Sequence, residues 1–222
     1  MCGRFTLHHS PEEIAARFGV QGSLFPDLVP RFNVAPTQAI PVVTAHGPRL
    51  ERLLEPMLWG LVPFWAKDTS LGAKLINARS ETASEKPSFK HALKRRRCLI
   101  PADSFYEWER ATKTPRHFRL TGGRLFAFAG LFDEWLDPGG SPLRTCTVLT
   151  TGPNPLVAPV HDRMPVILRE QDESAWLDVQ RVAPADLLPF FAPYPESEMD
   201  AYVVGKRVGS PVNDDPGLLA PA

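Results

Sequence analysis

The chain is poor in cysteine, in long apolar runs and in net charge, and each shortage excludes something. Cys2, Cys98 and Cys146 are the only thiols in 222 residues, and no two stand in CxxC spacing. A disulfide framework or a structural zinc site is therefore not expected. No run approaches the roughly 18 apolar residues of a membrane helix, and no apolar signal region follows the start. An intracellular, cytoplasmic protein with no membrane association is expected. Formal net charge is zero, which argues against indiscriminate binding of polyanions. Histidines are few, and no spacing among them suggests metal ligation.

What is present is uneven. Residues 1–125 hold 19 Lys and Arg against 11 Asp and Glu, while residues 126–222 hold 6 against 14. These balances of +8 and −8 leave room for a local nucleic-acid groove on the basic half. The densest stretch runs Lys90-His91-Ala92-Leu93-Lys94-Arg95-Arg96-Arg97. It reads equally as part of that groove or as a solvated helix end, where cations suit the dipole.

Length and ordinary hydrophobic content suit a single domain over 1–222. Pro11 to Gly19 predicts a short helix, with Ser10 as its cap, acids in its first turn and Gly19 as its stop. Ala39–Thr44 and Arg49–Leu54 flank a turn and predict a hairpin. The Trp-, Pro- and Gly-rich stretch from Glu55 to Trp65 predicts irregular chain, and Pro87 to Arg97 a helix. Strands are expected near 98–100, 105–109, 117–120, 125–128, 145–150 and 165–168, then a helix over 170–179. The Pro-rich tail from about 211 is expected to fray. Many short strands with a few peripheral helices predict an α+β fold around a curved mixed or antiparallel sheet, or a partial barrel.

The residues with chemistry begin at the start. Met1-Cys2-Gly3 permits removal of Met1, which leaves an α-amine and a thiol on one residue. Unperturbed pKa values of about 7.7–8.0 and 8.5 make both nucleophiles partly available near neutrality. Arg4 stands close enough to lower the thiol pKa or hold an anionic substrate. Cys98 and Cys146 lie in apolar runs and read as core thiols. In Asp103-Ser104-Phe105-Tyr106-Glu107-Trp108-Glu109, period two sets Phe105, Glu107 and Glu109 on one face. An acid flanked by aromatic rings is a candidate general acid, although this segment alone reads more simply as an edge strand with a solvent-facing Glu107. His161, in Val160-His161-Asp162-Arg163-Met164-Pro165, suits proton transfer. Asn77 and Arg79 follow an apolar pair and could hold an amine and a phosphate, or else belong to a helix cap with Ser80. Trp59 reads as core, and Trp65 as a ring that could stack on an unpaired base.

In order along the chain, these pieces closely resemble the SRAP family, the SOS-response-associated peptidases or abasic-site-processing proteins. The matching segments are Met1 to Phe5, Arg31 to Pro36, Trp59 to Pro63, Ile76 to Thr82, Arg97 to Pro101, Phe105 to Trp108 and His161 to Pro165. The resemblance implies a sensor of abasic sites in single-stranded DNA. Such a protein forms a thiazolidine crosslink through Cys2, with lyase and self-processing activity as accompaniments and a place in DNA repair. It implies catalytic surroundings of Cys2, Asn77, Glu107 and His161. It places Arg4, Trp65, Ile76, Arg79, Thr150 and Arg163 along the DNA. No cofactor or metal is implied, and a monomer is the default, nucleoid-associated when on DNA. Two positions depart from the pattern: Gly209 follows Arg207-Val208 where the family tends to have Asn, and Ala66 stands where some members carry a second aromatic residue.

Two other readings share some of these residues. An N-terminal cysteine hydrolase, whether thiol peptidase or class II glutamine amidotransferase, would use the same Cys2 thiol. A non-covalent module for single-stranded DNA would use only the cations and rings.

Overall fold

The computed structural model describes residues 2–23, 25, 28–180 and 183–222, apart from the side chain of Pro184. The Met1 part of the N-terminal expectation lies outside them. In chain order the elements are β1 (Phe5–Leu7), α1 (Pro11–Phe18), β2 (Val20–Ser23), β3 (Arg31–Val34), β4 (Ala39–His46), β5 (Glu51–Trp59), β6 (Asn77–Arg79), α2 (Lys90–Arg95), β7 (Arg97–Ala102) and β8 (Ser104–Trp108). They continue with β9 (Pro115–Leu120), β10 (Phe126–Leu136), β11 (Pro142–Thr151), β12 (Met164–Pro165), β13 (Ile167–Leu168), α3 (Glu173–Leu177), α4 (Pro184–Leu187) and β14 (Met199–Val203).

Two sheets organise the chain. One runs β14-β9-β8-β1-β3, with antiparallel pairings throughout. The other runs β12-β11-β10-β7-β4-β5-β2. Parallel pairing of β5 with β11, Leu58 opposite Thr145 and Trp59 opposite Cys146, closes five of its strands into a barrel. The expected α+β fold with a barrel-like core is thus what the chain adopts. Phe5 joins the layers, its ring edge-on to Trp59 at 5.2 Å and to Phe128 at 5.8 Å. Phe105 stacks on Phe118 at 5.1 Å beside it. Edge-on and offset pairs of this kind add about 0.5–1.5 kcal/mol each beyond their buried area. Cys98 and Cys146 are fully buried free thiols, as expected. Among the described residues no helix is long and apolar enough to cross a membrane.

Local chemistry explains where elements start and stop. Ser10 accepts from Glu13 N at 3.2 Å, and the Glu13 carboxylate accepts from Ser10 N at 2.8 Å, which completes a capping box. Gly19 ends the helix at φ 61°, where a Cβ would be strained.

Several sequence expectations need correction. Residues 55–59 continue β5 instead of forming irregular chain. Pro56, which has no N–H to donate, is tolerated because it faces Pro41 in the stretch of β5 between its pairings with β2 and β11, where no further strand needs a donor. The helix near 87–97 is shorter, over Lys90–Arg95, and Arg97 already begins β7. The helix over 170–179 is a 3-10 turn followed by the short α3.

The tail from 211 does not fray. Asp214 pairs with Arg31 and accepts from Asn33 N at 3.0 Å, Leu218 is buried, and Pro221 bridges to Val204. Here one buried side chain, a bridge to β14 and a carboxylate outweigh the composition of the segment.

Candidate active site

Cys2 lies immediately before β1, with no exposed surface. β1 pairs with β8, Phe5 opposite Phe105 and Thr6 opposite Ser104, and this register brings the start of the chain beside Glu107. From the other side comes Asn77, the first residue of β6, which pairs in parallel with β11. Its side-chain Nδ2 donates to the Cys2 carbonyl at 2.8 Å. Its Oδ1 is buried with no hydrogen-bond partner among the described residues, which leaves an acceptor aimed away from the tether.

Glu107 is only 4% exposed. The edge-strand reading fails because β8 is central, flanked by β9 and β1. One of its faces packs on the barrel, while Tyr106, on the other, is covered by Val204, Val208 and Leu218 of the C-terminal segment. Burial raises the Glu107 carboxyl to about 7, and Asp162 pushes in the same direction. Desolvation also drives the Cys2 thiol well above the ordinary thiol range, with Glu107 adding to it, whereas a hydrogen bond from the Arg4 backbone opposes it. The expectation of a thiol partly available near neutrality is therefore corrected: in this burial the thiol is held protonated.

His161 sits in the turn between β11 and β12. This turn is shaped by Asn154, whose Oδ1 accepts from Val157 N at 2.9 Å and whose Nδ2 donates to Tyr194 O at 2.8 Å. The His161 side chain is 16% exposed. Its Nδ1 accepts from Arg163 N at 3.0 Å, so the neutral ring carries its proton on Nε2. Burial lowers its pKa, favouring that neutral form. Asp162 Oδ1 lies 3.1 Å from Nδ1, and Asp162 is itself ion-paired to Arg110 at 2.5 Å.

The residues expected to line DNA divide into two groups. Arg79, Thr150 and Arg163 meet, because Thr150 on β11 stands opposite both Arg79 of β6 and Pro165 of β12. Arg163 forks onto Glu81 at 2.7 and 2.9 Å and also donates to Thr150 O at 2.5 Å. Ile76 is half-buried, its carbonyl accepting from Trp59 Nε1 at 2.9 Å. Arg4 is turned elsewhere. It donates to Asn33 Oδ1 and Val208 O at 2.9 Å and to Gly209 O at 3.2 Å, fastening the C-terminal segment to β3. The departure to Gly209 leaves this contact intact, since it uses only the backbone oxygen.

Sequence reading singled out Trp65 alone as an exposed ring, yet Phe64 and Trp65 are 51% and 48% exposed side by side. Ala66 is buried, its carbonyl accepting from Trp135 Nε1 at 2.7 Å, so the missing aromatic residue there costs no exposed ring. Glu81, Asp162 and Arg110 were also missed. The signal available was their place inside or beside the matched segments; which cation each carboxylate would meet was not. The basic run also reads differently in three dimensions. Arg97 is buried and donates to Trp176 O, Leu93 O and Asp178 O, and Arg96 pairs with Asp133. Lys90, Lys94 and Arg95 alone of its cations stay exposed.

A family model described as "SOS response associated peptidase (SRAP)" matches residues 1–211. The chain belongs to the SRAP family. Among relatives, the abasic site processing protein YoqW of Bacillus subtilis is 46% identical over 99% of both chains. The mouse abasic site processing protein HMCES is 32% identical over all of this chain and 76% of its own length. A crystal structure of a protein from Bacteroides thetaiotaomicron superposes with a TM-score of 0.89 at 28% identity, covering both chains completely. One from Bordetella bronchiseptica gives 0.77 at 25% identity over 92% of this chain and all of the other. Within the SRAP family the matched region contains each of the residues gathered around Cys2.

Proposed function

We propose that this SRAP protein processes abasic sites in single-stranded DNA by capturing them covalently on Cys2 once Met1 is removed. The observation that carries the reading is the pairing of Asn77 on the Cys2 carbonyl with a buried Glu107 whose carboxyl titrates near 7. Names of relatives on both sides of the bacterial–mammalian divide support it.

The ring-opened abasic sugar presents an aldehyde. The Cys2 α-amine adds to its C1′ carbon, and the resulting carbinolamine loses its hydroxyl as water when Glu107 supplies a proton. A C=N bond has then replaced C=O. The thiol adds across that bond, sulfur to carbon and its proton to nitrogen, closing the thiazolidine. Held protonated by burial, the thiol is a poor first nucleophile, which favours the amine attacking first. The same burial disfavours the hydrolase reading, in which a thiolate must attack at the outset. Asn77 restricts the Cys2 backbone to one geometry, and such positioning lowers the barrier by limiting the motion left to lose. The Nε2–H of neutral His161 is suited to donating to the sugar ring oxygen as it opens. Arg79 and Arg163 would meet phosphates, and Phe64 and Trp65 would stack on bases next to the lesion. Loss of the C2′ proton from the imine would instead cleave the strand, which would give lyase activity as a side path.

A denaturing gel with single-stranded DNA carrying one abasic site tests this directly. A shifted band is expected with mature protein, and none with Cys2→Ala or with a form that retains Met1. A non-covalent module would give no shifted band under denaturing conditions for any of the three.

A further inference from the structure

At the far end of β1 from Cys2, a second cluster of chemistry-bearing side chains comes together. Six residues separate Cys2 from His8, roughly 20 Å at the rise of an extended strand. There the donor atoms of His8, His9 and Asp103 all lie within 4.8 Å of one another. Asp103 occupies the bend between β7 and β8 and is 3% exposed. Its backbone N donates to Thr6 O at 2.8 Å, and its carboxylate accepts from the His8 backbone N. Oδ1 lies against His9 Nδ1, and Oδ2 stands 3.6 Å from His8 Nδ1.

A buried carboxylate that stays ionised needs cations or hydrogen-bond donors close by. Among the described residues, the ion-pair partners of Asp103 are these imidazoles and no Lys or Arg. Of the nearby arginines, Arg124 pairs with Glu198 at 3.4 Å, and Arg119 stands 3.8 Å from Asp200 and over the Tyr202 ring. Two imidazoles and one carboxylate are also a common ligand set for borderline divalent ions. Bond lengths of about 2.1 Å put neighbouring ligand atoms roughly 3–4 Å apart, so the observed spacing needs only small side-chain adjustments. The rings are already oriented: His8 stacks on Phe32 at 5.3 Å and lies nearly parallel to His9 at 5.7 Å.

There is also a way in. His8 and Asp103 line a cavity of about 550 Å³ together with His117, Arg119 and Tyr202. His117 is 3% exposed, and neither of its ring nitrogens has a hydrogen-bond partner among the described residues. The cavity wall therefore offers one more unengaged nitrogen donor along the route.

We propose that His8, His9 and Asp103 form a binding site for a divalent transition metal ion of the zinc type, with water completing its shell. The ion ties the end of β1 and the start of α1 to the β7–β8 bend. Because β1 follows Cys2 and β8 carries Glu107, it braces the register that sets the two against each other. Sequence spacing gives no hint of this, since Asp103 stands 94 residues from His9.

The test uses the full-length protein, first stripped with a chelator and then titrated with zinc or cobalt. One equivalent of zinc is expected to bind. Cobalt should show the visible absorption of a nitrogen- and oxygen-ligated ion. Zinc at 100 times its Kd should raise Tm by roughly 5–10 °C. His9→Gln and the double variant His8→Gln/His9→Gln should lose the absorption and the Tm shift while still crosslinking DNA. Asp103→Asn adds a third comparison but also touches the bend itself. Absence of stoichiometric binding to the stripped protein overturns the proposal, as does binding that persists undiminished in the double variant, which would place the ion elsewhere. Crosslinking is read separately, so failure of the metal site leaves the abasic-site reading untouched.

Discussion

Glu107→Gln is the most demanding perturbation of the catalytic reasoning, because it removes a titration while keeping nearly the same shape. Burial sets the Glu107 carboxyl near 7. An α-amine is ordinarily near 7.7–8.0. Imine formation needs the amine neutral and the acid protonated, so the two requirements oppose each other. With these values, the productive combination peaks near pH 7.4 and comprises roughly a tenth of the molecules. The crosslinking rate in the wild type should therefore follow a bell, falling about tenfold per pH unit well above and well below the peak. Glu107→Gln should slow the reaction by about 10²–10⁴-fold, and the alkaline limb should disappear, leaving a rate that rises with amine deprotonation and then levels. The assay is single-turnover crosslinking to abasic single-stranded DNA, quenched into denaturant between pH 5.5 and 9.5. If the variant reacts slowly but keeps an unaltered bell, Glu107 is not the titrating acid and the reasoning fails.

The same carboxyl makes a stability prediction of definite sign. Its folded pKa of about 7 lies above the unfolded value, so the protonated form is favoured by folding and stability is lost as pH rises from about 4.5 to 7. Glu107→Gln should accordingly be about 3 kcal/mol more stable than wild type at pH 8 and nearly equal at pH 4, read by denaturant unfolding at both pH values. Asn77→Ala removes the donor to the Cys2 carbonyl; crosslinking should slow by about tenfold, the worth of one positioning hydrogen bond, with Kd for undamaged single strands unchanged. Glu81→Gln releases Arg163 from a partly exposed carboxylate; DNA affinity at low salt should rise, by no more than about fivefold, and the gain should vanish as salt is added. Arg97→Ala strands three carbonyl oxygens in the interior and should cost about 3 kcal/mol or more of unfolding free energy, whereas Lys94→Ala and Arg95→Ala should change stability by less than about 0.5 kcal/mol.

Elements with strong local signals were legible. α1 carried its cap, its acidic first turn and its glycine stop in ten consecutive residues. The strands with β-branched or aromatic runs fell close to their expected places. Misreadings arose where a remote partner overrode composition. Pro56 reads as a strand breaker until Pro41 is set opposite it. The proline-rich tail reads as loose until Asp214 meets Arg31 and Leu218 enters the core. Cys2, Asn77, Glu107 and His161 were singled out through segments resembling a family, and the register of β1 on β8 and the Asn77 hydrogen bond bring the first three of them together. Their states were not identifiable. A sequence cannot say that β8 is central instead of an edge, nor that its Glu107 face packs on the barrel, and burial of Glu107 follows from the two together.

By itself, then, the order of residues determined the fold class, the family and the chemistry available at the amino end, because these depend on local pattern and on motifs read in succession. Only the tertiary structure decided which charges remain usable. It buried Arg97, clamped Arg163 on Glu81, turned Arg4 toward the C-terminal segment and raised Glu107 toward neutrality. Those outcomes depend on desolvation and on partners up to two hundred residues away in the chain, as Arg4 and Val208 are. Electrostatic energy is set by distance and solvent access in space, and neither quantity is written in a residue's neighbours along the sequence.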